Sequence, residues 1–386
     1  MELFGIVIVL SVILVPSNVL IAKGQKGSDS PSSPCNYPAI YNFGDSNSDT
    51  GGTSVALFPR VAPYGETYFH RPAGRATDGR LIIDFIADHL GLPFLSPYLD
   101  SLGSNFRHGA NFATGGAMIH RPTASWFQTG SSPFPLEIQV EQYIQFKERT
   151  AYFYAQGCEK SRIPRPEEFS KALHTFDIGQ NDLASGFGSN EALRARLPHI
   201  ISLYAEQLRG MYEVGARVFW IHNIGPLGCL PLSVIKVENP PPPGYLDEHG
   251  CIKSRNDIVK EFNKHLKETV VQLRAELSEA AITFVDIYSV KYRLISNAKK
   301  EGFEEPFKIC CGIHGTGIDV GCGNTTIING AQVYGGSCAK PSAVISWDGV
   351  HFTDRANTWI ATHILDGSFS DPPIPITRAC HRHSQI

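Results

Sequence analysis

Two hydrophobic periodicities alternate along the chain. Short apolar runs rich in β-branched and aromatic residues, at 38–43, 109–112, 171–178, 216–222 and 281–287, read as buried strands. Longer segments between them repeat apolar residues every three or four positions. Residues 79–90 put Leu81, Ile82, Phe85, Ile86 and Leu90 on one helical face, with Asp78 as cap and Gly91 as stop. Residues 136–155 also read as a helix. Residues 191–214 carry Leu193, Leu197, Ile200, Ile201, Tyr204 and Leu208, and Pro198 is expected to kink or split them. Residues 258–280 carry Phe262, Leu266, Val270 and Leu273, and 353–364 form a last helix capped by Thr353 or Asp354. Strand and helix alternating from end to end predict an α/β fold, with a mainly parallel sheet and helices on both faces. No repeat or linker divides residues 37–371, which are expected to form one domain with long insertions.

The two ends read differently. Residues 4–15 are apolar but too short to span a membrane, and Lys23 to Gly27 end the stretch. Residues 1–24 read as a secretory signal, cut near Ala22 or Gly24, with an N-terminal membrane anchor as the alternative. Residues 25–36 are a Ser/Pro-rich flexible leader, and 372–386 are expected to be a loose tail. The rest has no long charge-free apolar run, so no stable membrane insertion is expected after signal removal.

Composition narrows the function. Of 386 residues, 42% are hydrophobic and 18% charged, which fits a globular chain and not a disordered one. The net charge of -3, without a basic stripe, gives no footprint for nucleic acid. Nine cysteines in a secreted chain are expected to be mostly paired in disulfides. Cys310, Cys311, Cys322 and Cys338 crowd near His314, which leaves zinc as an alternative, although paired C-x-x-C knuckles are missing. Asn324-Thr325-Thr326 is a glycosylation sequon in this Gly- and Cys-rich stretch.

Three turns follow three of the expected strands: Gly44-Asp45-Ser46, Gly115-Gly116 and Gly179-Gln180-Asn181-Asp182. In a parallel sheet they share one edge, the edge where such sheets bind ligands. Trp347-Asp348-Gly349-Val350-His351 lies just before the last helix, and Asp348 and His351 can meet across one turn. A carboxylate holding an imidazole, which faces a serine, is the arrangement that activates a serine nucleophile. The Ser46 amide, the Gly116 amide and the Asn181 side chain could supply donors to an oxyanion.

Together with residues 43–52, Gly109 to Ala117 and Asn223 to Pro231, these motifs resemble the GDSL, or SGNH, serine hydrolases, and among them the secreted plant GDSL esterase/lipases. The resemblance covers nearly the whole chain after the leader. It implies a three-layer α/β/α sandwich similar to flavodoxin. It implies Ser46 as nucleophile, His351 as base and Asp348 as its partner. It implies an oxyanion hole of Ser46, Gly116 and Asn181, with Gly116 chosen over Gly115 by its spacing from Asn111. No metal or cofactor is implied. Asn47 stands where the family name has Leu; this variant resembles a subgroup with early-nodulin-like proteins, acetylesterases and proteins labelled α-fucosidases.

The implied activity is hydrolysis of a small-molecule or cell-wall ester outside the cell, through an acyl-Ser46 intermediate and with a short acyl group. Rates should rise as the His351 imidazole becomes neutral. The alternatives are a long-chain lipase, a glycosidase using Asp49 and Asp182, and a binding protein on a retired esterase fold. Asp45, Asp49 and Asp182 read rather as anchors of the turns. His70, His108, His120 and His222 read as structural or solvent-facing, and the aromatic loop around Tyr64 and Tyr68 as a pocket wall or a packing cluster. The segment between Gly315 and Ser337 reads as loosely constrained and as a candidate shaper of the pocket.

Overall fold

In a computed structural model, which describes residues 33–382 except 125, 158–159, 185–188 and 316, the five apolar runs become five strands. These are β1 (Ile40–Gly44), β2 (Gly109–Asn111), β3 (Leu173–Asp177), β4 (Val218–His222) and β5 (Ala281–Val285). Two hairpins follow, β6 (Ile313–Gly315) with β7 (Ile318–Val320) and β8 (Thr325–Ile328) with β9 (Ala331–Tyr334). A short β10 (Ser370–Asp371) completes the main sheet, whose order is β10-β5-β4-β3-β1-β2. All pairings in it are parallel except β10 with β5. The chain leaves β1 for the edge strand β2 and then returns to the other side of β1 as β3. That reversal opens a crevice at the carboxyl ends of β1 and β3.

Among the described residues, six longer helices cover the sheet: α1 (Ile82–His89), α2 (Leu136–Ala155), α3 (Asn190–Glu213), α4 (Lys253–Glu276), α5 (Ile287–Ser296) and α6 (Asp354–Leu365). Strand side chains alternate between faces. Tyr41, Phe43, Phe176 and Phe219 pack with Tyr143, Leu197, Tyr204 and Phe262 from α2, α3 and α4. Ile40, Leu173, Val218 and Trp220 pack with Ile83, Val290 and Ile360 from α1, α5 and α6. Each such side chain contributes roughly 1.5–3 kcal/mol on burial. The architecture is the expected three-layer α/β/α sandwich.

Several local expectations need correction. Pro198 does not split α3, which runs unbroken through it. Pro198 faces solvent, so water can serve the carbonyl it leaves unbonded, while Leu197, Ile200 and Ile201 hold the helix to the core. Asp78 does not cap α1; its Oδ1 accepts from the Asp354 amide at the start of α6, at 2.7 Å. Asp84 Oδ2 takes the Leu81 amide instead, and Thr353 caps α6. Helix α4 starts at Lys253, ahead of its apolar repeat. Helix α5 was not foreseen at all, nor were the hairpins.

The C-terminal segment is not loose through residue 382. Ile376 is buried, Tyr37 OH donates to its carbonyl, and Cys380 is bonded to Cys35. Three further disulfides join Cys229 to Cys251, Cys310 to Cys338 and Cys311 to Cys322. The clustered cysteines are therefore disulfides, leaving no thiolates of theirs for the zinc alternative. The expected signal, most of the leader and Cys158 lie outside the described residues.

Candidate active site

Ser46 sits in the turn after β1, and the site is built from how that turn is held. Gly44 can be nothing larger, because a β-carbon there would lie 2.4 Å from Ser48 Oγ and 2.5 Å from the Asp177 carbonyl. Gln139, reaching from α2, clamps Gly44 with both ends of its amide: Oε1 accepts the Gly44 N–H and Nε2 donates to the Gly44 carbonyl, each at 2.9 Å. Asn42 and Asn111, side by side on β1 and β2, bond each other and the Ser48 carbonyl.

The two acids considered for glycosidase chemistry serve these turns. Asp49 accepts the amides of Gly51, Gly52, Thr53 and Gly115. Asp182 accepts the amides of Ile119 and His120 and pairs with His120 Nδ1 at 2.6 Å. Asp45 accepts from the Asn47 amide, from Asn47 Nδ2 and from Asn181 Nδ2. Asn47, the departure from the family name, is thus a second strap on Asp45. Burial and the neighbouring Asp177 carboxylate push the Asp45 carboxyl up.

The structure brings Ser46, His351 and Asp348 together. His351 Nε2 lies 2.7 Å from Ser46 Oγ, and His351 Nδ1 lies 2.7 Å from Asp348 Oδ2. Asp348 Oδ1 accepts the amides of Val350 and His351, which closes the expected turn. The turn requires Gly349, whose φ is 88° and where a β-carbon would lie 2.5 Å from Leu232 Cγ. Burial alone would raise the Asp348 carboxyl. The His351 imidazole and the two amides outweigh it and hold that carboxyl well below the usual carboxylate range. Tyr64 OH donates to Asp348 Oδ2 at 3.1 Å, so the aromatic loop supports the acid while Tyr68 packs against Phe69.

The expected oxyanion donors come out unequal. Gly115 N–H is committed to Asp49 Oδ2 and Thr53 Oγ1. The amides of Ser46 and Gly116 have no acceptor among the described residues. Asn181 Nδ2 is near Ser46 but already donates to the Ala117 carbonyl at 2.9 Å and to Asp45 Oδ2 at 3.2 Å. Sequence spacing could not show that commitment.

A cleft opens beside Ser46. Leu227, Leu230, Pro231, Ile295 and Ile345 give it apolar walls, and Asn47, Gln180, Asn181, His351 and Lys291 give it polar groups. Sequence reasoning missed Gln139 and Lys291. Lys291 had one available signal, the helical spacing of Ile287, Val290 and Leu294 behind the cap Asp286. No residue between Gly315 and Ser337 lines the cleft among the described residues, so the expectation that this segment shapes the pocket is set aside. His222 is structural, as expected: Nε2 accepts Trp220 Nε1–H and Nδ1 faces Asp177 at 3.4 Å. Asn324 is exposed at the foot of β8.

Known proteins bear on this geometry. The GDSL-like lipase/acylhydrolase family profile matches residues 40–364. A GDSL esterase/lipase of Arabidopsis thaliana is 54% identical over 353 residues, covering 90% of each chain. The GDSL esterase/lipase ENOD8 of Medicago truncatula is 49% identical over 353 residues, 90% of this chain and 91% of its own. A protein named alpha-L-fucosidase 3, from Arabidopsis thaliana, is 44% identical over 375 residues, 94% of this chain and 98% of its own.

Proposed function

The chain belongs to the GDSL-like lipase/acylhydrolase family and is a carboxylic ester hydrolase, and from that premise we propose that it works through an acyl-Ser46 intermediate on short-chain esters outside the cell. The observation that carries the reading is the unbroken relay Ser46 Oγ–His351 Nε2 and His351 Nδ1–Asp348 Oδ2. His351 Nε2 takes the Ser46 proton as Oγ bonds to the ester carbonyl carbon. The carbonyl oxygen becomes an oxyanion, and the two uncommitted amides, of Ser46 and Gly116, are its fixed donors. Asn181 joins them by turning the hydrogen of its longer bond, the one to Asp45, toward the oxyanion. The imidazolium is held by the ionised Asp348 and returns its proton to the leaving alcohol. Water then repeats the sequence, with His351 again as base, and frees the acid and Ser46.

A fucosidase-type mechanism finds little support in the site. Glycoside hydrolysis ordinarily needs two carboxyl groups across the bond. Asp49 and Asp182 are bound to backbone amides, and Asp45 is the one acid among the described residues lining the cleft. Disulfides among the described residues and the leading apolar stretch support an extracellular setting, and exposed Asn324 is its proposed glycan site. No described helix is long and apolar enough to cross a membrane.

Hydrolysis of p-nitrophenyl esters of increasing chain length, with wild type beside Ser46→Ala, tests the reading. Activity highest on acetate and abolished in the variant is expected. Activity rising toward long chains would replace the short-chain part with a lipase. Full activity in Ser46→Ala would remove the mechanism.

A further inference from the structure

Helix α5 brings an unusual residue to the cleft. Lys291 is only 3% exposed, yet it lines the cleft beside Ser46. Its stem passes Gly225, where a β-carbon would lie 2.9 Å from Lys291 Cδ, and Nζ lies 4.8 Å from the Phe352 ring centre. Its ammonium makes no hydrogen bond to a described residue. Asp177 and Asp45 act on it through charge, without forming an ion pair.

Gln180, on the same cleft, has the complementary deficit. Its Nε2 donates to Asp177 Oδ1 at 2.6 Å, and because a carboxylate only accepts, this fixes which end of the amide faces Asp177. Gln180 Oε1 is left buried with no donor. Tyr41, Tyr204 and Trp347 also hold buried polar atoms without partners, but none of them lines the cleft. An unmet buried acceptor is costly, so a cleft that leaves Gln180 Oε1 without a donor, beside an ammonium that bonds no described residue, gains from a ligand that meets both.

The chemistry of that ligand follows from the pair. A hydroxyl accepts from an ammonium and donates to an amide oxygen in the same contact. A carboxylate or phosphate would satisfy Lys291 but oppose Gln180 Oε1 and the charge of Asp177. A hydrocarbon would satisfy neither. We propose that Lys291 and Gln180 form a hydroxyl-binding subsite that selects esters of sugars or other polyols over esters of plain aliphatic alcohols. This rests on the ester-hydrolase reading of the same cleft and names the alcohol half of its substrate.

The test is a ratio. kcat/KM is measured for a mono-acetylated methyl glucoside and for cyclohexylmethyl acetate, in wild type, Lys291→Met and Gln180→Met. Because both esters meet the same protein sample, loss of folded protein cancels. Wild type should prefer the sugar ester. Lys291→Met should lower the preference at least about tenfold, chiefly through KM of the sugar ester, and Gln180→Met should lower it less in the same direction. An unchanged ratio in both variants, or no preference in wild type, overturns the subsite. A parallel loss on both esters with a lower melting temperature would assign Lys291 to charge balance and overturn it as well. A wild type inactive on all esters would instead defeat the ester-hydrolase reading. The subsite would then be judged by binding of methyl glucoside: weakening in Lys291→Met supports it, and no binding to wild type overturns it.

Discussion

The polar groups behind Ser46 and those in front of it are treated in opposite ways. Behind it, Gln139, Asn111, Asp49 and Asp182 are buried, and each is bonded to backbone amides or carbonyls of the turns. In front, Lys291 and Gln180 are about as buried, yet the Lys291 ammonium bonds no described residue and the Gln180 amide oxygen has no donor. Buried polar groups are usually satisfied, because an unmet one is costly. Complete bonding behind the serine makes a rigid frame, and incomplete bonding in front leaves chemistry for a ligand. The relay to His351 and Asp348 stands between the two.

The largest expected effect lies on the relay. Asp348→Asn should lower kcat by about four orders of magnitude with KM little changed, because the imidazole loses the acceptor that sets its tautomer. Stopped-flow or steady-state rates on p-nitrophenyl acetate check this; a loss under tenfold would put Asp348 outside the relay.

Next comes the frame. Asp49→Ala strands the amides of Gly51, Gly52 and Thr53 and loosens Gly115. Several kcal/mol of stability should go, with each unpaired buried group worth about 1–3. Activity should fall together with the melting temperature. An unchanged melting curve would show that the frame is not held this way.

Acid probes the frame at a comparable size. His174 on β3 is fully buried, with Nε2 at 2.9 Å from Tyr143 OH and Nδ1 at 3.1 Å from the Val218 carbonyl. Burial lowers it to about 4. A base whose folded value is depressed binds fewer protons when folded, so stability rises with pH between about 4 and its ordinary value near 6.5, and is lost as pH falls through that window. The loss should reach about 3 kcal/mol by pH 4 and should be reduced in His174→Gln. Denaturant melts at several pH values measure it; identical slopes for the two proteins would contradict it.

The smallest effect is at Tyr64. Tyr64→Phe removes one bond to Asp348 Oδ2, worth about 1 kcal/mol, so kcat should drop severalfold while KM and stability hardly move. A change confined to KM would place Tyr64 against the substrate instead.

The comparison also separates what the sequence could disclose from what it could not. The sheet and most helices were legible because strands buried on both faces read as solid apolar runs and the helices keep one apolar stripe. Ser46, Asp348 and His351 were legible because turns after strands and a tight Asp-to-His spacing are local features. The frame was partly legible, since Asp49 and Asp182 sit beside the turns they bind. Gln139 was not: it lies 95 residues from the glycine it clamps, on an ordinary helix. Lys291 and Gln180 were the hardest, since an unmet hydrogen bond is a property of the assembled cleft. Pro198 misled because propensity was weighed without knowing that it faces water, and the tail misled because only the fold brings Cys380 to Cys35.

The most direct test of the central claim, that Ser46 is the activated nucleophile, is labelling with a fluorophosphonate followed by peptide mass mapping. One adduct is expected, on the peptide holding Ser46, formed rapidly in wild type, far more slowly in His351→Gln and not at all in Ser46→Ala. Ester hydrolysis by a protein that carries its adduct on another residue, or that is labelled equally fast without His351, would contradict the account.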